Sequence, residues 1–139
     1  MTTAALDACR TIELPRIAGD SGSMTAVEGG GEVPFEIARV YFLYDVVAGA
    51  HRGAHAHREL EQVIVAAMGS FQVELDDGRE TRTVELDQPH VGLYLPRLVW
   101  RGLGNFSSGA IGVVLASLPY DESDYIRRYA DYLRVVGAT

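Results

Sequence analysis

A chain of 139 residues suits one compact domain with a single core, and 47% hydrophobic residues is the share a soluble globular chain needs. Its 19 acidic residues outnumber 12 basic ones for a net charge of −7, which argues against a nucleic-acid partner, because such proteins present a basic face. All 12 cations are arginine, so there is no lysine for a Schiff base, a pyridoxal anchor or a phosphate-binding P-loop.

At the start of the chain, MTTAALDACR lacks a basic leader followed by an apolar stretch, so no secretion signal is expected. No apolar run approaches the roughly 18 residues that cross a membrane. The single cysteine, Cys9, cannot close an internal disulfide, and a reducing, cytoplasmic setting is the expectation. Residues 19–34, rich in Gly, Ser and Glu, read as loops around at most a short strand. From Phe35 the pattern changes. Ile37–Val47 is dense in β-branched and aromatic side chains, and Gln62–Met68 and Phe71–Leu75 are strand-like runs joined at Gly69-Ser70. Asp76-Asp77-Gly78 is a hairpin turn leading into the alternating Thr81–Leu86. His90–Leu95, Trp100–Phe106 and Ile111–Leu118 add further strands. Short strands at this spacing predict an antiparallel sandwich or barrel. Only the C-terminus reads as helix: Asp121, Glu122 and Asp124 make an acidic first turn, and Tyr125, Tyr129, Tyr132 and Leu133 recur at helical spacing. No repeat or second domain interrupts the chain.

The chemistry-bearing stretch runs from Gly49 to Gly69 with the spacing G-x5-H-x-H-x3-E-x7-G, carried by His55, His57 and Glu61. It resembles the first motif of the cupin superfamily with one extra residue before the last glycine. Residues two apart on a strand face the same way, so His55 and His57 point together into the barrel. In metal cupins that pair, a Glu and a later His hold a divalent ion. The second cupin motif, P-x-G-x-x-H-x-x-x-N, keeps its spacing from Pro96 to Asn105 but carries Leu98 for Gly and Arg101 for the His ligand. A guanidinium cannot ligate a metal and repels a dication. Two histidines with Glu61 still leave a metal site conceivable. Unliganded histidines in a barrel are instead placed as acid–base groups, since imidazole titrates near working pH. The plainer readings are buried histidines donating to carbonyls, a wall aromatic at Tyr41, and solvated arginines at Arg52 and Arg101. His51 and His90 are expected at the surface.

Several segments together are similar to one enzyme family. They are Val33–Tyr41 with Arg39, Arg52-Gly-Ala-His55-Ala-His57, Gly92-Leu-Tyr94-Leu-Pro96 leading to Trp100, Val114–Ser117, and Tyr120-Asp-Glu-Ser-Asp-Tyr-Ile-Arg127. The combination resembles the dTDP-4-oxo-6-deoxy-glucose 3,4-ketoisomerases, the WxcM-like sugar-nucleotide cupins, over residues 12–133. The resemblance implies an all-β cupin jelly-roll barrel of antiparallel strands with a short C-terminal helix, as a single domain over 1–139. It implies a homodimer exchanging N-terminal strands from about residues 1–34, and a metal-free, cofactor-free isomerase acting on a dTDP-linked keto sugar. By motif position His55 matches the family's base, with His57 and Tyr41 beside it and Arg52 the site arginine of the Arg-Gly motif. Arg39, Arg101, Trp100 and Arg58 join the expected substrate-binding set. The residue after the motif Trp is His in some members and Arg in others, tracking galacto or gluco configuration at carbon 4; Arg101 places this chain with the gluco group, while Ser21 matches neither pattern. A related dTDP-sugar epimerase, a metal-dependent cupin and a non-enzymatic sugar-nucleotide sensor are the alternatives.

Overall fold

In the computed structural model, which describes residues 6–138, the alternating runs pair into two five-stranded antiparallel sheets. The first holds β1 (Arg10–Glu13), β9 (Val91–Leu95), β6 (Gln62–Met68), β11 (Ile111–Ala116) and β4 (Arg39–Leu43) in that order. The second holds β12 (Tyr125–Ile126), β5 (Arg52–His57), β10 (Trp100–Gly104), β7 (Phe71–Asp76) and β8 (Thr81–Leu86). Neighbours in space are mostly distant in sequence, which is the jelly-roll signature. Asp76 and Asp77 make the β7–β8 turn by accepting from the backbone N–H groups of Gly78, Arg79 and Glu80.

Strand alternation sorts the side chains into layers. Ile64, Ala66, Phe71, Val73, Leu75, Leu93, Leu95, Leu103 and Val114 are buried between the sheets. Each of these side chains larger than alanine contributes about 1.5–3 kcal/mol through burial. Odd residues of β6, Val63 and Val65, face the other way and pack with Ile12, Leu14, Val33 and Leu115 under Phe35 and Ile37. On the second sheet the outer layer is Ala56, Ile126 and Tyr132, with Trp100, Leu133 and Val136 against them. One end of the interior is left unfilled by apolar side chains, between β4, β6 and β11 on one side and β5, β10 and β12 on the other. That is where the polar residues gather.

Residues 19–34 hold the one short strand expected, β3 (Gly22–Met24), which pairs as a hairpin with β2 (Ile17–Gly19) just before it, exposed along both strands. Residues 1–5 of the segment expected to exchange lie outside the described residues. One local expectation needs correction: the C-terminal helix does not begin at the acidic run. Asp121 caps a single 3-10 turn over Glu122–Asp124, after which Tyr125 and Ile126 pair with His57 and Ala56. The helix α1 spans only Tyr129–Val136 and closes on Gly137 at φ 72°. Local acidity favoured a helix start, but the ladder to β5 satisfies the backbone of 125–126 and delays it.

Candidate active site

The polar end of the barrel is a cavity of about 380 Å³ whose wall includes Arg39, Tyr41, Arg52, His55, Gln62, Arg101, Tyr125 and Arg127. Parity explains most of the list. Arg39 and Tyr41 alternate inward on β4 while Val40 and Phe42 stay exposed. Arg101 is the direct cross-strand partner of His55, so both project into the same space. Arg52 and His55 are three apart and would face opposite ways on a regular strand. Between them the β5–β10 register slips, and Gly53 sits at φ 71°, so a bulge turns Arg52 back toward the cavity.

His57 is fully buried and stands behind the wall, its ring edge-on to His55 at 4.8 Å between centroids. Tyr125 packs on both rings, at 5.0 Å from His55 and 4.5 Å from His57. His57 Nδ1 lies 3.0 Å from Asp124 Oδ2. The same carboxylate accepts from the N–H groups of Glu59 and Leu60 at 2.7 and 3.3 Å. A carboxylate only accepts, so Nδ1 carries the hydrogen and Nε2 is bare; Nε2 is buried and has no hydrogen-bond partner. Burial first, and then the charge of Arg101, lowers the pKa of His55 to about 3. The same two causes, in the same order, lower that of His57. Both rings are therefore neutral at pH 7.

Arg101 is 1% exposed. Its Nε donates to the Val99 carbonyl at 3.1 Å and Nη1 to Gln62 Oε1 at 2.5 Å, while Nη2 is buried with no partner. Burial lowers its pKa from the usual guanidinium value, yet the side chain stays charged. Among the described residues no carboxylate pairs with it. Nε and Nη2 of Arg39 are likewise buried without partners, its guanidinium lying over Tyr41 at 5.3 Å and Tyr120 at 5.7 Å. Arg127 differs: Glu122 holds it at 2.6 and 2.9 Å, and it caps the Tyr125 ring at 4.1 Å. A buried charge without a counter-ion is costly. The arrangement is built to receive an anion.

Other sequence-nominated residues lie elsewhere. Arg58 follows the inward His57 by one and is exposed; its carbonyl accepts from Arg97. Trp100 precedes the inward Arg101 by one and faces outward, edge-on to Tyr129 at 5.2 Å and tilted against Tyr132. Neither touches the cavity of this chain. Glu61 turns away as well, accepting from the Tyr94 hydroxyl at 2.6 Å. A metal centre from two histidines and Glu61 therefore does not assemble, and the position of the missing ligand holds a cation. Among the described residues no group of three or more His, Cys, Asp or Glu is arranged to hold a metal. His51 is exposed and His90 half-buried. Sequence reasoning missed Gln62, Tyr125, Arg127 and Asp124 as site residues. The first was legible from the parity of β6; the last was not.

Residues 7–137 match the family model described as FdtA: WxcM-like, C-terminal. The TDP-4-oxo-6-deoxy-alpha-D-glucose-3,4-oxoisomerase of Aneurinibacillus thermoaerophilus is 42% identical over 128 residues, 92% of each chain. Among solved structures, the sugar 3,4-ketoisomerase QdtA of Thermoanaerobacterium thermosaccharolyticum, in complex with TDP, superposes with a TM-score of 0.91 at 40% identity, covering 93% of this chain and 94% of that one. The TDP-quinovose 3,4-ketoisomerase WlaRB of Campylobacter jejuni superposes with a TM-score of 0.88 at 44% identity, covering 91% and 98%.

Proposed function

Because this chain belongs to the FdtA family (WxcM-like, C-terminal) and is a sugar-nucleotide 3,4-ketoisomerase, we propose that it converts dTDP-4-oxo-6-deoxy-D-glucose to the 3-oxo isomer by imidazole-mediated proton transfer. A ketone at carbon 4 acidifies the hydrogen on carbon 3. Neutral His55, in the cavity wall, removes that hydrogen and leaves an enediolate; the hydroxyl proton on oxygen 3 passes to oxygen 4, and return of the first proton to carbon 4 places the carbonyl at carbon 3. Arg101 and Arg39 carry the donors that face the developing oxyanion, and Arg52 and Arg127 lie where charge-assisted bonds to the diphosphate form. Tyr41 donates to a sugar oxygen. His57 acts through His55, holding its ring from behind.

The observation that carries this reading is the fully buried Arg101, with one donor unpaired, directly across the ladder from a neutral His55. An anionic substrate supplies the missing counter-charge. Its arrival also offsets the guanidinium charge that holds the His55 pKa down, which strengthens the base as the reactant binds.

The gluco configuration at carbon 4 is the proposed product outcome, supported by Arg101 at the position after the motif Trp and by the TDP-quinovose enzyme at 44% identity. A cytoplasmic role in deoxy- or aminosugar synthesis, without metal or cofactor, completes the reading. We propose a homodimer too, supported by the wholly exposed β2–β3 hairpin and by exposed Val40 and Phe42 on the edge strand β4. Proton NMR of the product from dTDP-4-oxo-6-deoxyglucose tests the whole proposal. A ketone relocated to carbon 3 with gluco geometry supports it; label from deuterated water entering carbons 3 or 5 with the ketone unmoved overturns it in favour of an epimerase.

A further inference from the structure

The bonded series Arg101, Gln62, Tyr41 has a direction that donor chemistry dictates. A guanidinium has only donors, so the Gln62 atom at 2.5 Å from Arg101 Nη1 is the amide oxygen. The amide nitrogen, which also only donates, is thereby turned to Tyr41 Oη at 3.2 Å. Tyr41 must accept this bond, and its own hydrogen is not spent on Gln62. Among the described residues the Tyr41 hydroxyl has no other hydrogen-bond partner, and its ring lines the cavity. Gln62 is 2% exposed, so water cannot take over either end of its amide.

We propose that Gln62 is a positioning residue that commits the Tyr41 hydroxyl hydrogen to the cavity, as a donor to an oxygen of the bound keto sugar. The inference rests on the ketoisomerase reading of the cavity. With a glutamate at this place, the side chain would accept from Arg101 and Tyr41 alike, consuming the hydroxyl hydrogen and neutralising the guanidinium. With a methionine, the volume stays and the direction is lost. Burial raises the Tyr41 pKa above the usual phenol value, so the hydroxyl remains a donor rather than an anion.

The test is a double-mutant cycle of Gln62→Met and Tyr41→Phe, with ketone transfer on dTDP-4-oxo-6-deoxyglucose followed by NMR. Each single variant should lower kcat by about 100-fold, the usual cost of one oxyanion donor, with KM changed far less. Adding Gln62→Met to Tyr41→Phe should then cost less than about twofold, because both remove the same interaction. Losses that multiply overturn the proposal, as does a Tyr41→Phe or Gln62→Met enzyme with wild-type kcat. If the methionine variant fails to fold by circular dichroism, Gln62→Leu, also without a polar end, replaces it in the same cycle. Absence of ketone transfer in the wild-type protein would instead defeat the underlying ketoisomerase reading.

Discussion

His57 and Asp124 stand 67 positions apart in the chain and share a 3.0 Å hydrogen bond in a site where the histidine has no exposed surface. The carboxylate also accepts from the backbone at Glu59 and Leu60, so one side chain sets both the imidazole tautomer and the exit of β5. The two duties separate by substitution. Asp124→Ala should lose about 2–4 kcal/mol in chemical denaturation, the scale of a buried charged acceptor removed from its donors. Asp124→Asn keeps most of the backbone contacts but offers an N–H to the ring, moving the hydrogen to Nε2. Its turnover should fall on the order of 100-fold, with the tautomer change read from nitrogen–proton NMR correlations of His57.

Arg101→Met replaces a buried, unpaired cation by an apolar chain of similar length. Stability should hold within about 1 kcal/mol or rise, because an uncompensated charge leaves the interior. Turnover should fall by about 100-fold or more. Thermal melts and steady-state rates measured together check both halves; a variant that melts much earlier means that Arg101 is a structural pillar instead.

Removing the cavity-wall imidazole with His55→Asn should reduce kcat by about 1,000-fold and stop exchange of the carbon 3 hydrogen with solvent. TDP binding, followed by calorimetry, should change little, since the asparagine leaves the arginines in place. Retained turnover would remove His55 from the base role.

The two histidines also predict how the fold responds to acid. Their folded-state pKa values are depressed, that of His55 to about 3, while the unfolded chain binds protons near 6.5. Above 6.5 both states carry neutral rings and the full stability is present. Below it the unfolded state takes up protons that the folded state refuses, so stability falls as pH drops, by up to about 1.4 kcal/mol per pH unit per histidine. Urea midpoints between pH 7 and pH 4 should show this slope, and His55→Asn should flatten it. For the same reason kcat/KM should lack an acidic limb near 6.5.

Chelation supplies a fifth check. Dialysis against EDTA should leave turnover unchanged, and elemental analysis should find substoichiometric metal, because the place of the later histidine ligand holds a guanidinium and Glu61 is turned to Tyr94. Loss of activity restored by a divalent ion would reverse this expectation.

Much of the architecture could be read from alternation. The strand runs of 62–68 and 81–86 are β6 and β8 to the residue, and the facing of His55 with Arg101 follows from their motifs. The same parity argument, carried one residue further, would have put Arg58 and Trp100 outside and Gln62 inside. Three-residue strands such as β2 and β3 show no period, so their hairpin was invisible. Asp124 was hidden for a different reason. In sequence it is one acid of a local acidic turn, and nothing nearby reports a partner 67 residues earlier.

That separation has a consequence for how the protein is made. Synthesis runs from the N-terminus, so β5 and its histidine pair leave the ribosome long before Asp124, Tyr125 and the strand β12 that lies along them. The barrel strands through β11 can find one another while β5 still lacks its outer neighbour β12. A nascent or truncated chain ending near Ser117 would hold the two imidazoles with no carboxylate to choose the tautomer and no tyrosine ring across them. The site is finished only once residues 121–126 have emerged, and a barrel whose other strands have paired remains chemically immature until that stretch docks.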